Sequence, residues 1–473
     1  MSTINPLELP EVLLRVAEYL EEESFIRCVS VCKAWYQILV GLLWKEVVAM
    51  DCILFSVPQG FTPHTLIQHH DLVEDLEIHN NLLAAYTITY PKLHTLKLVQ
   101  SSSWDTMNNS KGDPVKLISA NPSLVHLSLA SFEGYPSAPF WTAVSSLPRL
   151  KTIKLRNVTM GDKANLETFW VACQNVDGLS LSRMRLTDSN LELSGTLPFQ
   201  RIQALELEID GDQMMQLSLI RQCPHLEDLT WHPRGDTTVL GLFAQDVKQG
   251  LWPKLTRLSL FHDVPDALSA SIIDSIKKLD RLDMNTGGFG LLSFQALRRH
   301  SNTLVKLNLG RCTDVKSQLL NEVMCSCPHL KEFIGHHLIA QDVVDGDPWV
   351  CLSLEVLVTC FLFGHLEQDL QPLVFDRLSR LVHLKVLQIG DTTPWTTIHF
   401  QGALDLRLVS GLGALAKLKN LKHLDINNTT QRIGKEEVRW MLANWRKLET
   451  LDGLLSKGHA LCKVLQKHDI RVT

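Results

Sequence analysis

The strongest constraint in this sequence is a short apolar phrase, L-x-x-L-x-L, that returns along most of the chain. Its clearest copies follow a proline and begin at Leu93, Leu124, Leu150 and Leu255. Looser copies begin at Val73, Val176, Ile202, Leu226, Leu279, Leu304, Leu330, Leu354, Leu384, Leu421 and Leu448. The mean spacing is about 27 residues, within the roughly 20–29 residues of leucine-rich repeats. This regularity predicts stacked repeats rather than separate domains of ordinary size.

Each phrase predicts a short strand, and the residues after it are often helical. Leu96 and Leu98 lie two residues apart, so they share one face of a strand. Residues 266–277 and 314–327 carry apolar side chains at helix spacing. The expected fold is α/β: a curved solenoid with parallel strands on its concave face and helices on its convex face. Wider gaps predict inserted loops at residues 368–378 and 392–403.

Prolines and cysteines support this interpretation of the repeats. We expect the prolines that precede the phrases to end the helix before them, because proline cannot continue a helix. These are Pro91, Pro122, Pro148, Pro224, Pro253 and Pro328. Cys223 and Cys327 are expected to pack at helix ends. The chain has 11 cysteines without a C-x-x-C pair, which predicts reduced thiols and an intracellular location.

Charge and hydropathy argue against two classes of partner. Lys and Arg number 46 and Asp and Glu 51, giving a net charge of −5 without long runs of one sign, so no nucleic-acid partner is expected. The most apolar window, residues 349–364, is shorter than the roughly 20 residues of a membrane span and contains a repeat phrase. No membrane partner is expected either.

The first fifty residues follow a different, helical pattern. Leu9, Val12, Leu13, Val16 and Leu20 recur at helix spacing, with Pro10 at a helix start. A second helical stretch extends over residues 26–44, so we expect three or four short helices. Helices this short cannot cover all of their apolar side chains, so either the solenoid or a partner protein must bury the remainder.

Three segments at the N-terminus resemble the landmarks of an F-box. They are Leu9-Pro10-Glu11-Val12-Leu13-Leu14, Val31-Cys32-Lys33-Ala34-Trp35 and Leu43-Trp44-Lys45. The resemblance implies docking on a Skp-type adaptor, which connects to a cullin and a RING protein. The implied adaptor-facing residues are Leu9, Pro10, Leu13, Val31, Cys32, Trp35 and Trp44. Leu13 and Trp35 could equally fill the core of the small domain, and the two roles are compatible.

The resemblance also predicts the domain organisation. We expect an F-box at residues 5–50, a linker at 51–69 and a leucine-rich-repeat solenoid with a C-terminal cap at 70–473. The combination resembles the expanded F-box proteins of filamentous fungi. In that family the repeats C-terminal to the F-box would hold a protein substrate.

A catalytic role finds no support in the motifs, and no cofactor or metal is expected. The phosphate-binding, nucleophile-elbow and zinc-protease patterns are absent from the sequence. The glycine-rich residues 286–290 lack dinucleotide-binding spacing and predict a turn. His336 and His337 are expected in a polar loop, where adjacent side chains diverge and bind metal poorly.

Substrate contacts are expected at outward positions of the concave strands, which packing leaves unconstrained. The candidates are Lys154, Arg156, Glu206, Glu208, Arg257, Phe261, Arg281 and Lys306. Phe261 directly follows an inward leucine, so it is expected to face solvent as an anchor, unless a neighbouring loop covers it. Trp231 takes an inward position and is expected in the core.

Three functions remain open at this point, and the first is preferred. The first hypothesis is a non-enzymatic substrate receptor of a Skp-cullin-F-box ubiquitin ligase, which would bind a protein substrate for ubiquitin-dependent degradation. Alternatively, the chain is a repeat scaffold that docks the adaptor without presenting a substrate. The third possibility is an enzyme whose site is assembled across repeats.

Overall fold

The computed structural model describes most of the chain. The described residues are 9–20, 22–49, 63–79, 83–100, 113–131, 136–160, 163–186, 198–262, 264–284, 288–364, 367–390, 403–429, 431–454, 459–468 and 470–472. The chain divides into a first unit, Met1–Pro224, and a second unit, His225–Thr473.

Three short helices open the first unit, as the apolar spacing predicted. They are α1 (Pro10–Ala17), α2 (Glu22–Val29) and α3 (Lys33–Leu43). Pro10 occupies the first position of α1, where its missing N–H costs nothing. The apolar stripes of the helices meet in a small core of Leu13, Ala17, Val29 and Leu39.

Each of the fifteen predicted phrases forms a strand that begins two residues after its first apolar residue. The strands of the first unit are β1 (Glu46–Ala49), β2 (Asp75–His79), β3 (Thr95–Val99), β4 (His126–Ala130), β5 (Thr152–Arg156), β6 (Thr159–Met160), β7 (Gly178–Leu186) and β8 (Ala204–Asp210). Strands β1 and β6 lie outside the predicted phrases. They pair in parallel and in register, so that Leu76, Leu96 and Leu127 stand side by side. The predicted leucines are therefore the inward row of one sheet.

Helices connect these strands and supply the other half of the core. They are α4 (Pro63–Gln68), α5 (Leu83–Tyr86), α6 (Pro114–Ala120), α7 (Ala138–Ser145), α8 (Lys163–Cys173) and α9 (Gln213–Arg221). Phe140, Trp141, Phe169 and Trp170 form a row of ring contacts with centroids 4.7–5.0 Å apart. Helix α4 lies within the stretch that the sequence assigned to a linker.

The second unit repeats the same arrangement. Its strands are β9 (Asp228–Trp231), β10 (Arg257–Leu260), β11 (Arg281–Met284), β12 (Lys306–Asn308), β13 (Glu332–Ile339), β14 (Val356–Leu362), β15 (Val386–Gln388), β16 (His423–Asp425), β17 (Thr450–Asp452) and β18 (Arg471–Val472). Each strand pairs in parallel with the next. The α/β fold class with an N-terminal helical domain and leucine-rich repeats is confirmed.

The helices of the second unit follow its strands. They are α10 (Thr237–Gln249), α11 (Asp266–Ser275), α12 (Leu291–Leu297), α13 (Ser317–Ser326), α14 (Ala340–Asp345), α15 (Gln371–Ser379), α16 (Lys435–Asn444) and α17 (His459–Gln466). A 3-10 helix at Leu412–Lys417 takes the corresponding place between β15 and β16. Within the described ranges, none of the helices is both long and apolar enough to span a bilayer.

Two loop predictions are wrong. Most of residues 368–378 belongs to α15, because Val374, Phe375 and Leu378 form a buried stripe at helix spacing. His336 and His337 lie in β13 rather than in a loop, and a bulge between Ile334 and His337 keeps the strand paired with β14. The predicted insertion at 392–403 falls almost entirely outside the described residues.

The predictions that prolines follow helix ends and that Cys223 and Cys327 pack there are confirmed. The helix before each of the six prolines ends two to five residues ahead of it, as at Ser326 before Pro328. Cys223 and Cys327 are buried, and burial raises the pKa of their thiols to about 12 and about 11. Thiols with pKa values this high remain protonated, so they act as packing groups.

Candidate interaction surfaces

The helical domain exposes an unusual number of large apolar side chains. Leu9, Val31 and the further residues Leu14, Val16, Tyr19, Tyr36 and Leu42 are all more than a third exposed, and Val31 reaches 62%. Of the seven predicted adaptor-facing residues, Leu9 and Pro10 lie at the start of α1, and Val31 and Cys32 lie between α2 and α3. These four side chains are exposed and available to a partner.

The other three predicted residues lie deeper in the domain. Leu13 belongs to the core, and Trp35 is partly buried against it. Trp44 is only 2% exposed, because its indole ring packs on the His69 imidazole with centroids 4.8 Å apart. In this structure Leu13 and Trp44 therefore position the helices and do not offer their own surface. An adaptor-binding role for all seven residues stays a prediction.

Backbone pairing joins the helical domain directly to the first repeat. Strand β1 follows α3 and pairs in parallel with β2, with Val47 opposite Leu76. The Lys45 carbonyl accepts hydrogen bonds from the backbone N–H groups of Glu74 and Asp75, both at 2.9 Å. The sequence analysis missed this strand, because its four residues lack the L-x-x-L-x-L phrase. The helices are consequently held against the repeat sheet through a backbone ladder.

On the outer face of the first unit's sheet, most charged side chains have partners. The Glu206 carboxylate accepts hydrogen bonds from the hydroxyls of Ser180 at 2.6 Å and Ser182 at 3.0 Å. Glu208 faces Arg183, with a nitrogen-to-oxygen distance of 3.5 Å. These contacts occupy both acidic residues that the sequence proposed for substrate binding.

Lys154 and Arg156 differ from these acidic residues. Both side chains project from β5 and are exposed, and within the described part of the chain neither side chain forms a hydrogen bond or an ion pair. Opposite them stand Ser128 and Ala130 on β4, and Ser180 and Ser182 on β7. Two accessible cations are therefore flanked by small side chains.

The second unit carries three neighbouring cations on its outer face, one on each of β10, β11 and β12. Arg257 faces Asp228 on β9 at 3.2 Å, and Lys306 forms an ion pair with Glu332 on β13. Arg281 lies between them in the register. Below this row Asp283 is buried, and burial raises the pKa of its carboxyl group, even though the Asn308 amide donates a hydrogen bond to it at 3.1 Å.

Phe261 is half-buried rather than fully open to solvent. Its ring stacks on the His232 imidazole of the preceding repeat, with centroids 4.4 Å apart and planes within 6°. One face of the ring is thus covered from within the chain. Trp231 is completely buried, as predicted, and contacts Phe243.

The sequence analysis missed an aliphatic cluster on the outer face of the second unit. Ile334 stands opposite Val358, and Val356 stands opposite Val386, on the neighbouring strands β13, β14 and β15. All four side chains are half-buried at positions that point away from the leucine core. This cluster was detectable in the sequence, because three successive phrases carry β-branched residues at positions between the apolar positions of the repeat.

No metal-binding arrangement appears in the described ranges, where groups of three or more His, Cys, Asp or Glu side chains do not assemble. The ring centroids of His336 and His337 lie 4.7 Å apart. Burial, together with the neighbouring His336, lowers the pKa of His337.

Comparison with known proteins identifies the N-terminal domain. Residues 10–49 match the family model described as F-box-like. The structure is similar to a leucine-rich-repeat protein of Leptospira interrogans, with 14% identity over 85% of this chain and 90% of that one and a TM-score of 0.35. It is also similar to a chain of the yeast Rad7 and Elc1 complex, with 13% identity, coverages of 97% and 96% and a TM-score of 0.44. No curated protein matches the chain.

Proposed function

We propose that this protein, with its F-box-like domain and leucine-rich repeats, is a substrate receptor of an intracellular Skp-cullin-F-box ubiquitin ligase. Its helical domain would dock the Skp-type adaptor, and its repeats would bind a protein substrate for degradation. The observation that best supports this proposal is the set of exposed apolar side chains on the F-box-like domain, above all Leu9 and Val31. Solvent-exposed apolar groups at this density are typical of a docking surface.

The energetics favour burial of these side chains by a partner. Full burial of one valine or leucine side chain is worth about 1.5–3 kcal/mol, so a few such side chains supply much of the affinity of a typical interface. The domain's own core of four buried residues cannot enclose them. An adaptor that covers Leu9 and Val31 would therefore gain free energy that the isolated chain lacks.

The chain would contribute proximity rather than bond chemistry. A charged conjugating enzyme reaches a substrate lysine only if both are held in one assembly, and tethering raises their effective concentration to about the millimolar range. The pairing of β1 with β2 supports this role, because backbone hydrogen bonds connect the segment that follows α3 to the repeat sheet. The bound substrate would thereby keep a defined orientation towards the adaptor.

The test is co-purification of the full chain with a Skp-type adaptor. We expect the double variant Leu9→Asp/Val31→Asp to lose at least about tenfold in affinity, because each carboxylate would be desolvated in an apolar interface. Leu373→Asp/Val409→Asp is the matched control, since it introduces the same change at exposed positions in the repeats. Circular dichroism and urea denaturation establish that both variants fold.

The outcomes separate the two leading functions. Adaptor binding by the wild type and its loss in the folded Leu9/Val31 variant support the proposal if cullin and RING subunits co-purify. Adaptor binding without cullin and RING subunits favours a repeat scaffold outside the ligase. Failure of the wild type to bind the adaptor contradicts both interpretations.

A further inference from the structure

Two cations on β5 distinguish one place on the outer face of the first unit's sheet. Elsewhere on this face, opposite charges meet: Lys97 Nζ lies 2.9 Å from the Glu77 carboxylate, and Arg185 lies 3.3 Å from Asp210. Lys154 and Arg156 have no such contact in the described ranges, and both are exposed. An exposed cation without a partner retains its full attraction for an incoming carboxylate.

The neighbouring strands leave these cations accessible. In register with Lys154 stand Ser128 and Ser180, and in register with Arg156 stand Ala130 and Ser182. None of these side chains is long enough to cover a lysine or arginine head group. The result is a shallow strip along β5 with two positive charges at its centre and small side chains on both flanks, and the Glu206 carboxylate is held beyond Ser180 and Ser182 on the β7 side.

The spacing of the two cations defines what fits this strip. Lys154 and Arg156 are two residues apart on one face of a strand, which places their Cα atoms about 6.6 Å apart. A partner segment in extended conformation presents its own alternate side chains on one face with the same spacing. Two carboxylates at alternate positions would therefore meet the two cations one to one.

We infer that the β5 strip binds an extended segment of a partner protein that carries Asp or Glu at alternate positions. The inference rests on the proposed function only in identifying that segment as part of the substrate. Glu206 and Glu208, two strands away on β8, would repel the acidic residues of a segment that extends in their direction. The strip thus combines attraction for acidic side chains with repulsion of additional acidic residues beyond β7.

Fluorescence anisotropy with the full chain and defined peptides tests the inference. The probe is a labelled twelve-residue peptide of alternating Glu and Ser. The first comparison peptide has the same composition with its six Glu residues in one block, and the second has Lys in place of Glu. We expect the alternating peptide to bind several-fold more tightly than the block peptide, and the Lys peptide not to bind.

The decisive variant is Lys154→Glu/Arg156→Glu. Loss of two exposed ion pairs, with repulsion in their place, is expected to weaken binding of the alternating peptide about tenfold. The matched control is Lys435→Glu/Arg439→Glu, which reverses one exposed lysine and one exposed arginine on α16. Binding should also weaken as the salt concentration rises from about 0.05 to 0.5 M.

Each outcome supports or overturns the inference. Equal binding of the block and alternating peptides, or equal losses in the two charge-reversed variants, would overturn it. Tighter binding of a singly phosphorylated peptide without Glu would overturn the assignment of paired carboxylates. The Leu9→Asp/Val31→Asp variant should bind the alternating peptide normally, so failure here is distinguishable from failure of the adaptor proposal.

Discussion

The helical domain and the repeats solve the problem of apolar burial in opposite ways. The helices of residues 9–49 share a core of four buried residues and leave side chains such as Tyr19 and Val31 exposed. In the repeats each strand and helix covers its neighbours, so large aromatic side chains such as Trp141 and Trp231 are completely buried. The small domain therefore exposes more large apolar side chains for its size than the repeats do, although the repeats also expose some, such as Leu373 and Val409.

Polar side chains reinforce this contrast. Among residues 9–49, none of the described polar side chains is buried. In the repeats, buried polar groups join neighbouring segments: the Asn121 side chain accepts a hydrogen bond from the Tyr90 N–H at 2.6 Å, and the Asn321 side chain accepts one from the Trp349 indole at 2.8 Å. Such bonds specify how one repeat meets the next.

The largest expected difference in the free energy of unfolding comes from removing one aromatic ring in each region. Trp231→Ala removes a fully buried indole that contacts Phe243, and we expect it to lower the free energy of unfolding by about 3–5 kcal/mol. Tyr19→Ala removes a ring that is 74% exposed, so its effect should remain within about 0.5 kcal/mol. Urea denaturation of both variants measures the difference, and equal effects would contradict the comparison.

A smaller effect is expected at a polar contact between repeats. Asp266 at the start of α11 accepts hydrogen bonds from the backbone N–H groups of Gly290, Leu292 and Ser293 at the start of α12. Partial burial alone would raise the pKa of Asp266, but a hydrogen bond from the Ser293 side chain, together with these backbone hydrogen bonds, holds it below its ordinary value. We expect Asp266→Asn to lower the free energy of unfolding by about 1–2 kcal/mol at pH 7, because a neutral amide accepts the hydrogen bonds from the start of α12 less strongly than a carboxylate does.

The lowered pKa determines the sign of the pH dependence. The contribution of the Asp266 carboxylate is complete above its unfolded-state pKa of about 3.9 and is lost as the pH falls through the lower folded-state pKa. The difference in the free energy of unfolding between the wild type and Asp266→Asn should therefore stay constant from pH 7 to pH 5 and become smaller towards pH 3. A difference that grows on acidification would refute this assignment. Urea denaturation at these three pH values measures the difference.

The smallest effect leaves stability unchanged and concerns the cysteines. Cys32 is exposed at the start of α3, whereas Cys173, Cys223 and Cys351 are buried in the repeats. Burial raises the pKa of Cys223 and Cys351 to about 12, and that of Cys173 is raised as well. We expect iodoacetamide to label Cys32 in the native chain and the three buried cysteines only after denaturation, as detected by mass spectrometry.

A bound adaptor sharpens this last experiment. If the adaptor covers the segment between α2 and α3, it should protect Cys32 from labelling without changing the behaviour of Cys223. Rapid labelling of Cys223 in the native chain would show that the repeats open, which would contradict the stable burial of this thiol.

Local patterns predicted most of the fold. All fifteen phrases form strands, because an alternating leucine pair buries one face of a strand wherever it occurs. Residues 368–378 were assigned to a loop because the gap between phrases was wide, although Val374, Phe375 and Leu378 carry a helical stripe. The sites were less predictable: Trp44 matched a motif as an adaptor-facing residue, yet its ring packs on His69, a contact between residues 25 positions apart.

The sequence by itself determined the repeat architecture, the helical N-terminal domain and the buried leucine row, since periodicity and local preference are properties of neighbouring residues. Tertiary structure alone decided the pairing of β1 with β2, the stacking of Phe261 on His232 and the absence of a partner for Lys154 and Arg156 within the described ranges. These features depend on which strands become neighbours. That choice follows from packing between repeats, and no single phrase encodes it.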